Sequence, residues 1–195
     1  MEVLNQKTLT ILDKALLKVR NIGFESLSIS ALAKEVGMSK SGLFAHFNSK
    51  EKMHMMILDH AAESFSQNVF QKSFSEPKGL PRLKAIMNNW HGWYQANGGG
   101  TCPFIAASVE YDSKNGPVKD SLKHHTRALI DSLTTSVDHC ISENHFDSKL
   151  DSAEVAYELY SYICGALIFN RTLENKKSLS FFKRSFESLI DRCSI

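Results

Sequence analysis

The chain has 195 residues, of which 43% are hydrophobic and 23% charged, with a formal net charge of +2. That length suffices for one large or two small domains with a real core, and the composition excludes a disordered chain. A balance so close to neutral also excludes a protein that coats nucleic acid by charge alone.

Apolar residues recur at helical spacing and no useful length alternates with period two, so the expected fold class is all-α, with about nine helices. The first helix is expected over residues 5–22, with Leu9, Leu12, Ala15, Leu16 and Val19 on its apolar stripe and Gly23 as its stop. Ser28 can N-cap the second, which turns Ile29, Leu32, Ala33 and Val36 inward and ends at Gly37. Ser39 can N-cap the third, residues 40–46, with Leu43 and Phe47 aimed at the core. Ser49 opens a long fourth helix to about residue 72, carrying Met53, Met56, Ile57, Phe65, Val69 and Phe70.

Pro77-Lys-Gly-Leu-Pro81 is a clear break, followed by a fifth helix over 81–96 with Leu83, Ile86, Met87, Trp90 and Trp93. The run Asn97-Gly98-Gly99-Gly100 is a second break. A sixth helix is expected over 103–112 and a seventh over 117–144. Pro103 and Pro117 suit first-turn positions, where the missing N–H costs nothing. The eighth, 152–174, begins with Asp151 and Glu154 in capping-box spacing, and the ninth covers 178–193.

Residues 28–50 carry the most specific chemistry. Two short helices meet at a glycine turn, the layout that lays a helix in the major groove of DNA. Ala33 is small enough for the second helix to cross the first, Gly37 tolerates the positive φ of the turn, and Val36, Met38 and Leu43 flank it. The mild basic excess falls here too: residues 1–54 hold eight Lys and Arg against five Asp and Glu, and the remainder fifteen against sixteen.

With Gly23-Phe24, Leu27-Ser28-Ile29, the string from Ile29 to Ser39, then Lys-Ser-Gly-Leu-Phe-Ala-His-Phe and Asn-Ser-Lys-Glu-Lys-Met53, residues 5–54 resemble the N-terminal domain of the TetR family of transcriptional repressors. The resemblance implies a helix-turn-helix DNA-binding domain over 1–52 and a ligand-binding and dimerisation domain over 53–195. It implies a homodimer on a pseudo-palindromic operator in double-stranded DNA, one third helix in each of two successive major grooves. By motif position, Lys40, Ser41, Gly42 and Phe44 would face bases. A lysine can donate to guanine, and an aromatic ring can pack on a thymine methyl. Ser28, Ser39, His46 and Lys50 would hold phosphates. Phe44 stands where the family usually has Tyr, so a phosphate-contacting hydroxyl is missing, and Ala45 stands where a larger ring is common.

The rest of the chain is rich in aromatics and sulfur. Read alone, Phe65, Met87, Trp90, Tyr94, Cys102, Phe104 and Tyr111 fit an ordinary core. The resemblance adds an inducer pocket, in which His91, Glu110 and His124 would be the polar groups and the ligand largely apolar or aromatic. Cys102, beside a helix start that favours thiolate, offers an alternative as an electrophile or oxidant sensor. A helical small-molecule-binding protein without DNA binding is a further alternative. The last two helices carry Val155, Leu159, Tyr162, Ile163, Ala166, Leu167 and Phe169, then Phe181, Phe182, Phe186, Leu189 and Ile190. These suit either an intrachain core or the homodimer interface that the resemblance implies.

An enzyme is not expected: Gly-x-Ser-x-Gly, H-E-x-x-H and P-loop patterns are all missing. Neither cofactor nor metal is expected. Cys102, Cys140, Cys164 and Cys193 show no C-x-x-C spacing, and neighbours such as His124 and His125 point about 100° apart on a helix. With no secretory signal and no apolar run of about 20 residues, a cytoplasmic protein with free thiols and no membrane association is expected.

Overall fold

A computed structural model of the chain describes residues 5–96, 100–174 and 177–195. Among these residues the structure is all-α, with nine α-helices: α1 (Gln6–Ile22), α2 (Ile29–Val36), α3 (Lys40–Phe47), α4 (Lys50–Phe65), α5 (Leu80–Ala96), α6 (Pro103–Glu110), α7 (Pro117–Ser142), α8 (Ser152–Thr172) and α9 (Ser178–Cys193). One isolated antiparallel bridge, Phe146 to Ser194, is the sole β pairing among them. The expected break at Asn97-Gly98-Gly99 lies outside the described residues.

The helix ends follow the local chemistry of the sequence. Asn5 accepts from the Thr8 N–H at 2.9 Å, Ser28 from Ala31 at 3.1 Å, Ser39 from Gly42 at 3.1 Å and Ser49 from Lys52 at 3.0 Å. Each satisfies a donor that the first helical turn leaves unpaired. Asp151 does the same for α8, accepting from Ala153 at 2.9 Å and Glu154 at 3.4 Å. Gly37 is left-handed at φ 68°, ψ 31°, and the Met38 N–H reaches back to the Ala33 carbonyl at 2.9 Å.

Several ends differ from expectation: α7 stops at Ser142 and α8 at Thr172, each two residues early. The sixth α-helix stops at Glu110, short of residue 112. The fourth stops at Phe65, and the chain stays helical to Ser75 through a widened π turn, Ser66–Phe70, and a tightened 3₁₀ turn, Gln71–Ser75. On an α-helix, residues five apart point about 140° from each other. The widened turn swings Phe70 round to Phe65, and their rings meet edge-on at 5.7 Å.

The chain divides into two compact units. The first comprises Met1–Ser64 and Asn97–His125, the second Phe65–Ala96 and Thr126–Ile195. The boundary expected at residues 52/53 therefore falls inside the first unit. The core of the first unit includes Leu12, Ala15, Val19, Phe24, Leu27, Leu32, Leu43, Phe47, Met53, Ile57 and Leu58, each at 0% exposure except Ala33 beside them at 3%. Leu9 is only half-buried, and Ile11 takes the inward place instead. The second unit buries Leu83, Ile86, Met87, Trp90 and Trp93 of α5, Leu133, Val137 and Cys140 of α7, and the inner faces of α8 and α9.

Candidate functional site

The helix-turn-helix is built as the sequence proposes. Leu43 and Phe47 anchor α3 to the core, which turns the opposite face of this short helix to solvent. Lys40, Ser41 and Ala45 are exposed, Phe44 is 48% exposed, and Gly42 is half-buried. Ser28 and Ser39 are exposed as well, with their hydroxyl oxygens engaged as helix caps.

Two residues expected to hold phosphates are engaged elsewhere. The His46 ring is half-buried, with Nδ1 3.4 Å from the hydroxyl of buried Thr8 at the start of α1. The Lys50 ammonium donates to the Glu25 carbonyl at 2.7 Å and lies 3.6 Å from the Glu25 carboxylate, which Lys114 also pairs. The Lys114 hydrogen bond, with Lys50 as a further charge, holds the Glu25 carboxyl below its usual range.

Glu110 has an unexpected position. Its carboxylate accepts from the Phe24 N–H at 3.1 Å and the Glu25 N–H at 2.6 Å. It thus clasps the turn between α1 and α2. Gly23 carries φ 81°, and its bare Cα leaves the room that the Glu110 side chain occupies. At the other end of α6, the Thr101 N–H donates to the Arg20 carbonyl at 2.8 Å. So α6 is tied at both ends to the last turn of α1 and the loop after it. Sequence spacing gave no sign of this, because the partners are 85 and 86 positions apart.

Helix α4 is pinned by three histidine pairs within the first unit. His54 Nδ1 and the Tyr111 hydroxyl share a hydrogen bond, with Phe24 edge-on to both rings at 5.3 and 6.4 Å. Burial, with the nearby Lys50 charge, lowers the His54 pKa to about 4, and burial raises that of Tyr111. His60 of α4 contacts Asp13 of α1 at 2.7 Å, and His125 of α7 contacts Asp59 of α4 at 2.6 Å.

The expected ligand residues fall in different units. In the first, Phe104 is buried and Tyr111 belongs to the His54 cluster, while His124 is exposed and stacks edge-on with His125 at 5.3 Å. Cys102 is buried at the start of α6, and its burial raises the thiol pKa against the smaller opposing effect of the Ile105 and Phe104 amides. The thiolate expected at this helix start is therefore disfavoured, because desolvation outweighs the helix-end field.

In the second unit, Phe65 stands edge-on to Trp90 at 4.9 Å and to Trp93 at 5.1 Å, and Trp90 lies 6.2 Å from Tyr160. Met87 and Tyr94 are buried beside them in α5. Trp90 Nε1 and His91 Nδ1 are buried atoms without a hydrogen-bond partner among the described residues. Burial, and then the Lys183 charge, lowers the His91 pKa, so this ring favours its neutral form.

On α8 and α9 the apolar residues separate into two sets. Val155, Leu159, Ile163, Ala166, Leu167, Phe182, Phe186, Leu189 and Ile190 are buried within the chain. Tyr157, Ile168, Phe169, Leu173 and Phe181 are exposed, at 46–68%. Gly165 leaves open space where a Cβ would stand, so a neighbouring backbone can approach there. Among the described residues no group of three metal-ligating side chains converges, and no helix is long and apolar enough to cross a membrane.

Comparison with known proteins agrees with this arrangement. Residues 11–54 match the family model described as bacterial regulatory proteins, tetR family, and residues 79–186 that described as tetracyclin repressor-like, C-terminal domain. A TetR-family transcriptional regulator from Cytophaga hutchinsonii superposes with a TM-score of 0.84 at 17% identity, over 100% of this chain and 99% of that one. One from Agrobacterium tumefaciens gives 0.84 at 18%, over 97% and 98%. Among curated relatives, the nucleoid occlusion factor SlmA of Haemophilus influenzae is 30% identical over 82 residues, 42% of this chain and 37% of that protein. The match thus spans little more than a third of that relative's length. SlmA of Vibrio cholerae is 22% identical over 151 residues, 75% of this chain and 74% of the relative. With both family models matched in order and the second covering more than half of its length, this chain belongs to the TetR family of transcriptional regulators.

Proposed function

We propose that the chain is a ligand-responsive repressor. It binds a pseudo-palindromic operator as a homodimer, works by binding rather than catalysis, and is released by a small, largely apolar or aromatic inducer. The observation that carries this reading is the solvent-facing set Lys40, Ser41 and Phe44 on α3, a short helix locked to its own core by Leu43 and Phe47. Such a face suits insertion into a major groove. The homodimer forms through the exposed apolar faces of α8 and α9. The inducer contacts the aromatic group of the second unit, Phe65, Met87, Trp90, His91 and Tyr94. There Trp90 Nε1 supplies a buried donor and the neutral His91 ring a second polar contact. Glu110 is left out of this set, because its carboxylate is committed to the chain's own backbone. Cys102 is left out as a sensor, because its thiol is buried and protonated.

Coupling of about 1–3 kcal/mol between inducer and DNA would suffice for release. The test is titration of duplexes selected from a random library with the wild type and with Lys40→Ala. Operator affinity falls in the variant while its helical content is unchanged. Equal affinity of the two proteins for every selected duplex rejects the reading.

The SlmA similarity favours a second reading, a role in nucleoid occlusion. Mapping of chromosome-bound protein separates the two. Occupancy confined to one or a few promoters supports the local regulator, and occupancy spread over the nucleoid supports the second reading.

A further inference from the structure

The exposed face of α3 is chemically lopsided. Its solvent-facing side chains are Lys40, Ser41, Phe44 and Ala45. Around the helix axis these fall at about 0°, 100°, 40° and 140°, one continuous sector with Phe44 inside it. His46 is drawn aside to Thr8, and Leu43 and Phe47 are sealed in the core. None of the four is an amide or a carboxylate.

Base edges in the major groove differ in what they offer. Guanine shows two acceptors, adenine an acceptor and a donor, cytosine a donor, and thymine an acceptor and a methyl group. A lysine is a donor only, so Lys40 matches guanine. A phenyl ring and an alanine methyl make no hydrogen bonds, so Phe44 and Ala45 match the thymine methyl and nothing else on the list. Adenine and cytosine are left with Ser41, which can serve either and distinguishes neither.

We propose that this chain reads its operator chiefly through thymine 5-methyl groups, packed against Phe44 and Ala45, with Lys40 selecting a guanine nearby. The inference rests on the reading that α3 enters the major groove. Lys40 and Phe44 are four residues, about 6 Å, apart along the helix, so the guanine and the first thymine lie within about two base-pair steps. Phe44 is 48% exposed, which leaves its ring accessible for this contact.

The experiment uses the full-length protein and a random-sequence duplex library. Each selected duplex is measured again with every thymidine replaced by deoxyuridine, which removes the methyl and keeps the base pairing. Selected sites should carry guanine and thymine within two steps. The uridine duplex should bind roughly fourfold more weakly per contacted methyl, so at least about tenfold over two half-sites. Phe44→Ala should shrink that ratio severalfold while leaving low-salt binding to non-selected duplex unchanged. Phe44→Tyr, which keeps the ring, should preserve it. Thymidine and uridine duplexes bound within about twofold of each other would overturn the proposal while leaving operator binding intact. A library from which nothing is enriched overturns operator binding itself, and the proposal with it.

Discussion

Each unit has its own apolar core, and the two differ in what accompanies it. In the first, distant side chains are joined by directional bonds: Glu110 to the Phe24 and Glu25 amides, Lys50 to the Glu25 carbonyl, and His54, His60 and His125 to Tyr111, Asp13 and Asp59. In the second, ring packs on ring, Phe65 against Phe70, Trp90 and Trp93, and Phe182 stacks on Phe186 at 6.2 Å. Hydrogen bonds fix angles, whereas apolar packing tolerates adjustment. A unit that presents α3 in one orientation needs the first kind. On the proposed function, the second unit accommodates an apolar inducer, and adjustable packing that includes Met87 would serve that role.

The contrast can be broken most forcefully at the base of α3. Phe47→Ala, at a position with 0% exposure, should cost about 3–5 kcal/mol in urea unfolding. Phe44→Ala, one turn face away, should cost less than about 0.5 kcal/mol. Similar losses from the two would mean that α3 has no distinct inner and outer face.

The pH dependence of stability comes next. His54 has a folded pKa of about 4 against an ordinary 6.5. Between these values the unfolded chain binds the proton and the folded chain does not, so stability rises with pH across this window. It is complete above about pH 6.5 and is lost as pH falls toward 4, by up to roughly 3 kcal/mol from this group. His54→Phe should flatten that part of the curve. An unchanged slope would assign the acid sensitivity to other groups.

The Glu110 clasp sharpens the comparison further. Glu110→Ala leaves two backbone N–H groups without their acceptor and should cost about 1–3 kcal/mol. Amide exchange at Phe24 and Glu25 should accelerate most. Uniform acceleration over the chain, with no maximum at that turn, would show that the carboxylate does not hold it. The smallest effect is expected at Lys18, whose exposed pair with Glu35 spans 3.1 Å. Lys18→Ala should change stability by no more than about 1 kcal/mol, and by less in high salt.

How far the sequence carried depends on the range of the interaction. The caps at Ser28, Ser39, Ser49 and Asp151, the glycine turn at 37 and the inward pair Leu43 and Phe47 were all legible. Each depends on residues a few positions apart, and helical geometry makes such neighbours predictable. The widened turn after Phe65 was not: Phe65 packs against Trp90 of α5, a neighbour that the chain reaches only after it has turned back.

The amino-acid sequence by itself determined the all-α class, the positions of the helices and the identity of the helix-turn-helix, since these follow from periodicity, capping and turn residues. Tertiary structure alone decided which polar groups are free to act. Glu110 went to a backbone clasp, His46 and Lys50 turned to Thr8 and Glu25, and Cys102 lost its acidity to burial. It also divided the apolar residues of α8 and α9 between the core and an outward face. A side chain's chemistry is written in its own residue, but its availability depends on partners that only the folded chain brings within about 3 Å.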